Sequence, residues 1–227
     1  MLGILFIFTS IAWASSYNTV KIKTHNAESL IDIEYPQGFT NKQVDLKIQN
    51  LIDTLKKPYS DIAMTNHFSK SHWDQDSLQV HFKVESNNPK VLSLLFNIQT
   101  YEGAENYSSD RIKTLNFING NEVKLEQLFK PNSDYLSKIA SYCYKNLLKK
   151  EISDQQWLKN SSKPIMKNYK KWYFNKKGMV IVFDTKHLSK SISIPISVTI
   201  PYTTLKSWPF TEKKMMIGIS YKKTYSI

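Results

Sequence analysis

An α+β fold, with a mainly antiparallel sheet packed with two or three helices, is what this 227-residue sequence predicts. Three observations lead there. Apolar and polar residues alternate in several short runs, the period of a half-buried strand. Two other runs carry apolar residues three and four apart, the period of a helix. The elements follow one another as two strands, a helix, three strands, helices and three strands, and that grouped order suits an antiparallel sheet.

The elements can be justified in turn. Residues 2–13 form an apolar run broken only by Gly3, Thr9 and Ser10, and Ala12-Trp13-Ala14 puts small residues where a signal peptidase reads. We therefore expect a signal peptide over 1–14 and an exported, periplasmic chain. An uncleaved anchor or a mis-assigned start is the alternative, since no basic residue precedes the run. Spanning a bilayer takes about 20 apolar residues, and no later segment is long and apolar enough. Beyond the signal, an N-terminal strand-helix-strand part over 15–100, a second part over 101–210 and an extension over 211–227 are expected.

Residues 20–23 and 30–35 alternate and read as a hairpin closed by Pro36 and Gly38. A helix follows, with Thr40 and Gln43 as capping box, Phe39 and Val44 as hydrophobic staple, and Val44, Ile48, Leu51, Ile52 and Leu55 on one face. Pro58 is expected to stop it. Residues 59–77 are polar and irregular. In 79–85, Val80, Phe82 and Val84 face one way, and His81, Lys83 and Glu85 the other. Residues 91–101 are nearly all apolar and read as a central strand. A loop containing Glu102, Glu105 and Asp110 comes next, then a strand over 112–117 that turns at Asn119-Gly120.

Residues 125–129 read as a short helix, and Pro131 separates it from a longer one capped by Ser133. Leu136, Ile139, Ala140, Cys143 and Leu147 form its stripe, and Lys145, Lys149 and Lys150 suit its C-terminal dipole. Residues 172–183 read as a hairpin around Asn175 to Gly178. Residues 191–200 read as a last strand, with Pro195 marking an edge or bulge.

Composition excludes some functions. The net charge is +12, yet Arg111 is the only arginine. Nucleic-acid readers favour arginine's planar fork, so no nucleic acid is expected as partner. The lysine excess reads either as a genome bias or as a surface that attracts acidic polymers or partners. Peripheral association with an anionic membrane fits the same charge. With Cys143 as the single cysteine, stability rests on packing.

The second half carries a recurring set of local signals. These are Tyr101, Gly103 and Ala104; Asn116, Phe117 and Gly120 running on to Leu125, Leu128 and Phe129; Phe174 and Gly178 ending at Phe183; and Ile200-Pro201-Tyr202 with Leu205. In order and spacing they resemble the extracytoplasmic domain-of-unknown-function family of lysozyme-sensing anti-sigma factors. The same domain occurs in the N-terminal region of some peptidoglycan deacetylases. Glu102 and Glu105 stand where the family has a glycine and a histidine, and 186–190 departs from its usual stretch. The resemblance implies an envelope sensor or binding module without catalysis of its own.

Candidate chemistry is sparse. His67, His72, Asp74 and Asp76 have metal-ligand side chains but no ligand spacing, so no metal is expected. Glycine loops for phosphate and the Gly-x-Ser-x-Gly nucleophile motif are absent, so neither cofactor nor enzymatic activity is expected. Cys143 lies on an apolar helix stripe and reads as core. The remaining candidate is 159–177. It holds Lys159, Lys163, Lys167, Lys170, Lys171, Lys176 and Lys177 and no acid, interleaved with Tyr169, Trp172, Tyr173 and Phe174. It reads either as a solvated basic face or as a binder of anionic glycan, lipid headgroups or an acidic protein.

Partner contact is therefore expected at Lys167, Lys170, Lys171, Trp172 and Tyr173, and at Glu102, Gly103 and Glu105 of the acidic loop. The function expected is a non-enzymatic binding or accessory protein of the envelope, recognising an envelope protein or peptidoglycan and other anionic glycan. It would support an envelope machine or host infection. The alternative is a lysozyme-binding inhibitor or sensor-like module.

Overall fold

The computed structural model describes residues 16–25, 29–61, 75–102, 107–150, 152–183 and 195–211. The expected signal peptide, the segment holding His67, His72 and Asp74, and the extension beyond 211 lie outside these.

Two sheets carry the fold. The larger has six strands in sequence order: β1 (Asn18–His25), β2 (Ser29–Gln37), β3 (Asp76–Asn87), β4 (Val91–Glu102), β5 (Tyr107–Ile118) and the two-residue β6 (Asn121–Glu122). All neighbours are antiparallel except β2 and β3. Parallel neighbours need a long crossover, and α1 (Lys42–Asp61) lies within it. The smaller sheet is β7 (Trp172–Phe174), β8 (Gly178–Phe183) and β9 (Ile196–Pro201), all antiparallel. Between the sheets in sequence come a 3-10 turn (Leu125–Leu128), α2 (Tyr135–Leu147) and α3 (Gln155–Ser161); α4 (Tyr202–Leu205) follows β9. The α+β class with a mainly antiparallel sheet holds, divided between two sheets.

Each sheet has its own core. Ile31, Ile33, Val80, Leu94, Phe96 and Phe117 pack with Val44, Ile48 and Ile52 of α1. A second cluster joins Ile139, Cys143 and Leu147 of α2 to Trp157, Tyr169, Trp172, Phe174, Ile181, Phe183 and Ile200. Strand β4 serves both. Leu92, Leu94, Phe96 and Ile98 face the α1 core, whereas Val91 belongs to the second cluster. Its first four residues are buried on both faces, while Asn97 and Gln99 further along are exposed.

Buried side chains join the two sheets. The Phe174 N–H donates to Ser93 Oγ at 3.0 Å, and Ser93 Oγ donates to Asn116 Oδ1 at 2.7 Å. Asn116 Nδ2 donates to the Trp172 carbonyl at 2.7 Å, and the Trp172 N–H donates to Thr114 Oγ1 at 3.3 Å. Side chains of β4 and β5 thus satisfy the outer backbone groups of β7 where a strand would otherwise lie.

Several sequence expectations are corrected. Asn41, not Thr40, caps α1: its Oδ1 accepts the Gln43 N–H at 2.9 Å. Asp45, one turn into the helix, reaches back to the N–H groups of Gly38 and Phe39, at 2.9 and 3.0 Å. Pro58 lies inside α1, which runs on to Asp61. Asp134 takes the N-cap of α2, because the Ser133 hydroxyl is committed to the Lys130 carbonyl at 2.6 Å. Asp110 belongs to β5 and not to a loop; β5 and β4 pair back to Glu102 and Tyr107, so the connection is only 103–106.

The turn signals do close the hairpins. Asn119 and Gly120 both take positive φ, 51° and 80°, as a tight hairpin turn demands. In the second hairpin Asn175 Oδ1 accepts the N–H groups of Lys177 and Gly178. A Cβ on Gly178 would stand 2.0 Å from the Ile200 carbonyl oxygen, so β9 presses directly on glycine backbone. The Tyr202 hydroxyl then donates to the Asn175 carbonyl at 2.6 Å.

Candidate functional site: a lysine-lined cleft

The seven-lysine segment is shaped by what lies beneath it. Asp154 caps α3, its Oδ1 accepting the Trp157 N–H at 2.8 Å, as N-cap carboxylates do. The cap turns Trp157 and Leu158 into the core, where Trp157 meets Phe183 edge-on with centroids 6.2 Å apart. After α3, Asn168 Nδ2 donates to the carbonyls of Asn160 and Lys163, at 2.8 and 3.2 Å, and ties the descending loop to the helix end. Tyr169 is then driven fully into the core, also edge-on to Phe183 at 6.1 Å. The Val182 N–H donates to the Lys171 carbonyl at 2.8 Å, where the segment joins β8. With the aromatics turned inward, the lysines turn outward.

The result is a cleft of about 750 Å³. Trp157, Ile165, Val182 and Phe183 give it an apolar lining, and Lys163, Lys167, Lys170 and Lys171 a basic one. Gln156, Asn160, Ser161 and Asn168 supply uncharged polar groups, and Asp154 the single acid. Lys163, Lys167 and Lys170 are exposed and enter no ion pair among the described residues. Like charges converging on one concave surface focus its field on an incoming anion.

Of the residues expected to touch a partner, Lys167, Lys170 and Lys171 come together here. Trp172 does not: only 2% of it is exposed, and its ring packs edge-on with Phe174 in the core. This corrects the expectation that it contacts a partner, since alternation along β7 turns it inward. Tyr173 is half-buried outside the cleft lining. Burial, with the nearby Glu85 charge, pushes its phenol up to about 12. Glu102 is exposed at the end of β4 and belongs to a different region, where its charge acts on Tyr59. Gly103 and Glu105 lie outside the described residues.

Sequence reasoning missed Trp157, Asn160, Asn168, Val182, Phe183 and Asp154 of the cleft lining. Asp154 ahead of Gln155-Gln156-Trp157-Leu158 is an N-cap signal that could have found α3, but two turns are too few for a helical period to emerge.

Other chemistry is limited. Burial pushes the Cys143 thiol up to about 12, away from the thiolate a nucleophile needs. No group of three or more His, Cys, Asp or Glu side chains placed to hold a metal occurs among the described residues. On the outer face of the large sheet, Glu34 sits 2.6 Å from Lys21 and 3.7 Å from His81. The Lys21 hydrogen bond holds the Glu34 carboxyl below its ordinary range. Among the described residues no helix is long and apolar enough to cross a membrane.

Residues 126–203 match a family model described as protein of unknown function, DUF3298. Two solved DUF3298 structures share the fold. One, from Bacteroides fragilis, has a TM-score of 0.60 at 13% identity and covers 92% of this chain and 98% of its own. The other, from Pseudomonas aeruginosa, has a TM-score of 0.62 at 9% identity and covers 92% and 97%. The chain is also 22% identical over 179 residues to the peptidoglycan-N-acetylmuramic acid deacetylase PdaC of Bacillus subtilis. That stretch is 77% of this chain but spans only 38% of the deacetylase. The DUF3298 match begins at Glu126 in the 3-10 turn and ends at Thr203 in α4, so it contains every residue that lines the cleft.

Proposed function

We propose that this protein is an exported, non-enzymatic binding or accessory module of the bacterial envelope, and that the lysine-lined cleft holds its anionic partner. The observation that carries this reading is the meeting of Lys163, Lys167, Lys170 and Lys171 on one cleft beside an apolar lining. Similarity to part of a protein named for acting on peptidoglycan supports a cell-wall setting. The sign of the cleft argues against a cationic enzyme such as lysozyme as the partner held there.

Two measurements test it. Replacing Lys163, Lys167 and Lys170 together by glutamate should abolish retention of the protein on isolated envelopes at low salt. Wild type should be retained, and progressively released as salt shortens the screening length from about 10 Å at 0.1 M. Surface changes of this kind usually shift stability by no more than about 0.5 kcal/mol, so the melting curves should coincide. Equal retention of both proteins at every salt concentration would sink the assignment of the cleft. For export, mass spectrometry of the native protein should find an N-terminus at or near Ser15; an intact Met1 in the cytoplasm would remove the envelope setting.

A further inference from the structure

The composition of the cleft narrows the class of ligand, given the reading that the cleft is the binding site. A surface made for a dense polyanion needs cations and little else. Here the four lysines are matched by four uncharged polar side chains and four apolar ones, and a carboxylate stands among them. Two of the lining groups are acceptors with capacity to spare. The Asn168 amide nitrogen is committed to two carbonyls, which leaves its oxygen to accept. Asp154 uses Oδ1 on the Trp157 N–H, and a carboxylate has a second oxygen that only accepts. A polyphosphate has no donor to offer either group. A sugar offers hydroxyls to both, ring faces to the apolar lining, and acidic substituents to the lysines.

We infer that the cleft takes an acidic glycan strand with well-spaced charges, and that Asp154 discriminates against densely charged polymers. Along α3, at about 1.5 Å per residue, Asp154 lies about 10 Å from Ser161, two residues ahead of Lys163, the first lysine of the cleft lining. A strand carrying roughly one charge per disaccharide can set its anions on the lysines and a neutral, hydroxyl-bearing unit beside Asp154. A polymer charged at every unit must put an anion there, and one like-charge contact at close range in water weakens binding about fivefold.

Calorimetric titration of the full chain tests this with three probes. These are hyaluronan oligosaccharides, which bear one carboxylate per disaccharide, dextran of equal length, and polyphosphate of equal total charge at the same ionic strength. Hyaluronan should bind about fivefold more tightly than polyphosphate, the size of one like-charge contact in water, and more tightly than dextran. Asp154→Asn keeps an N-capping side chain, so the fold should persist. It should raise polyphosphate affinity about fivefold and leave hyaluronan affinity equal or lower. Polyphosphate binding as tightly as hyaluronan to the wild type would overturn the inference, as would an Asp154→Asn variant that treats polyphosphate like wild type. Failure of all three probes would overturn it too. Retention on isolated envelopes is read separately, so a partner of another anionic class would leave the broader proposal standing.

Discussion

Asn116 shows how much one buried amide can carry. Its oxygen takes the Ser93 hydroxyl and its nitrogen gives to the Trp172 carbonyl, so its side chain bonds on both sides with only 3% exposed. Asn116→Leu should leave both partners buried and unmatched. Each such orphan costs about 1–3 kcal/mol, so the loss should be about 2–6 kcal/mol, a large share of the 5–15 kcal/mol typical of a folded protein. Chemical denaturation of the variant would measure it. An unchanged midpoint would mean that water or a local shift satisfies both groups. In the sequence, Asn116 was legible only as part of a recurring turn motif. Its partners are 23 and 56 residues away, and no local pattern reports such a distance.

At the scale of elements, the sequence was most legible where periodicity was long. The stripe of α2 and the face of α1 are where the spacing put them, and Leu136 alone of the α2 stripe is only half-buried. Alternation found β1, β2 and β3, a nearly unbroken apolar run found β4, and the Asn-Gly and Asn175–Gly178 signals found the hairpins. Pro58 misled, because a proline in the last turn of a long helix can be absorbed by the packing of the turns before it. The separation into two sheets was not legible, since strand patterns do not say which strands pair. Gly178 tests the second sheet directly. Gly178→Ala would drive a methyl against the Ile200 carbonyl, and overpacking of this kind costs about 1–3 kcal/mol or more. The midpoint of urea unfolding should fall accordingly; no change would show that β8 and β9 can part at that end without loss.

On the scale of the molecule, two cores meet through the Ser93–Asn116 junction, and the cleft lies wholly on the second. The sequence already held the cleft's lysines as a dense basic segment, but not its lining, which Phe183 and Trp157 reach from separate elements. Trp157, Trp172 and Trp208 all belong to the second core, and no described tryptophan belongs to the first. With Trp13 and Trp73 replaced by phenylalanine, the remaining tryptophan fluorescence follows that one core and far-UV circular dichroism both. In that background the two unfolding curves should coincide, the mark of a single cooperative transition. With Asn116→Leu added, the fluorescence curve should move away from the other. Separate curves without it would mean that the cores unfold independently despite the junction.

The double burial of β4 at 91–94 has one more consequence. In a strand covered on one side, moving by one place exchanges a core face for water. In β4 such a slip would carry Leu92 or Leu94 to the position where Ser93 meets Asn116, and would carry Ser93 in among the aliphatic side chains beneath α1. Both cores would lose their fit in the same step. A single inserted residue near Ser93 should thus be far less tolerable than one near Asn97 or Gln99, where the strand has a free face.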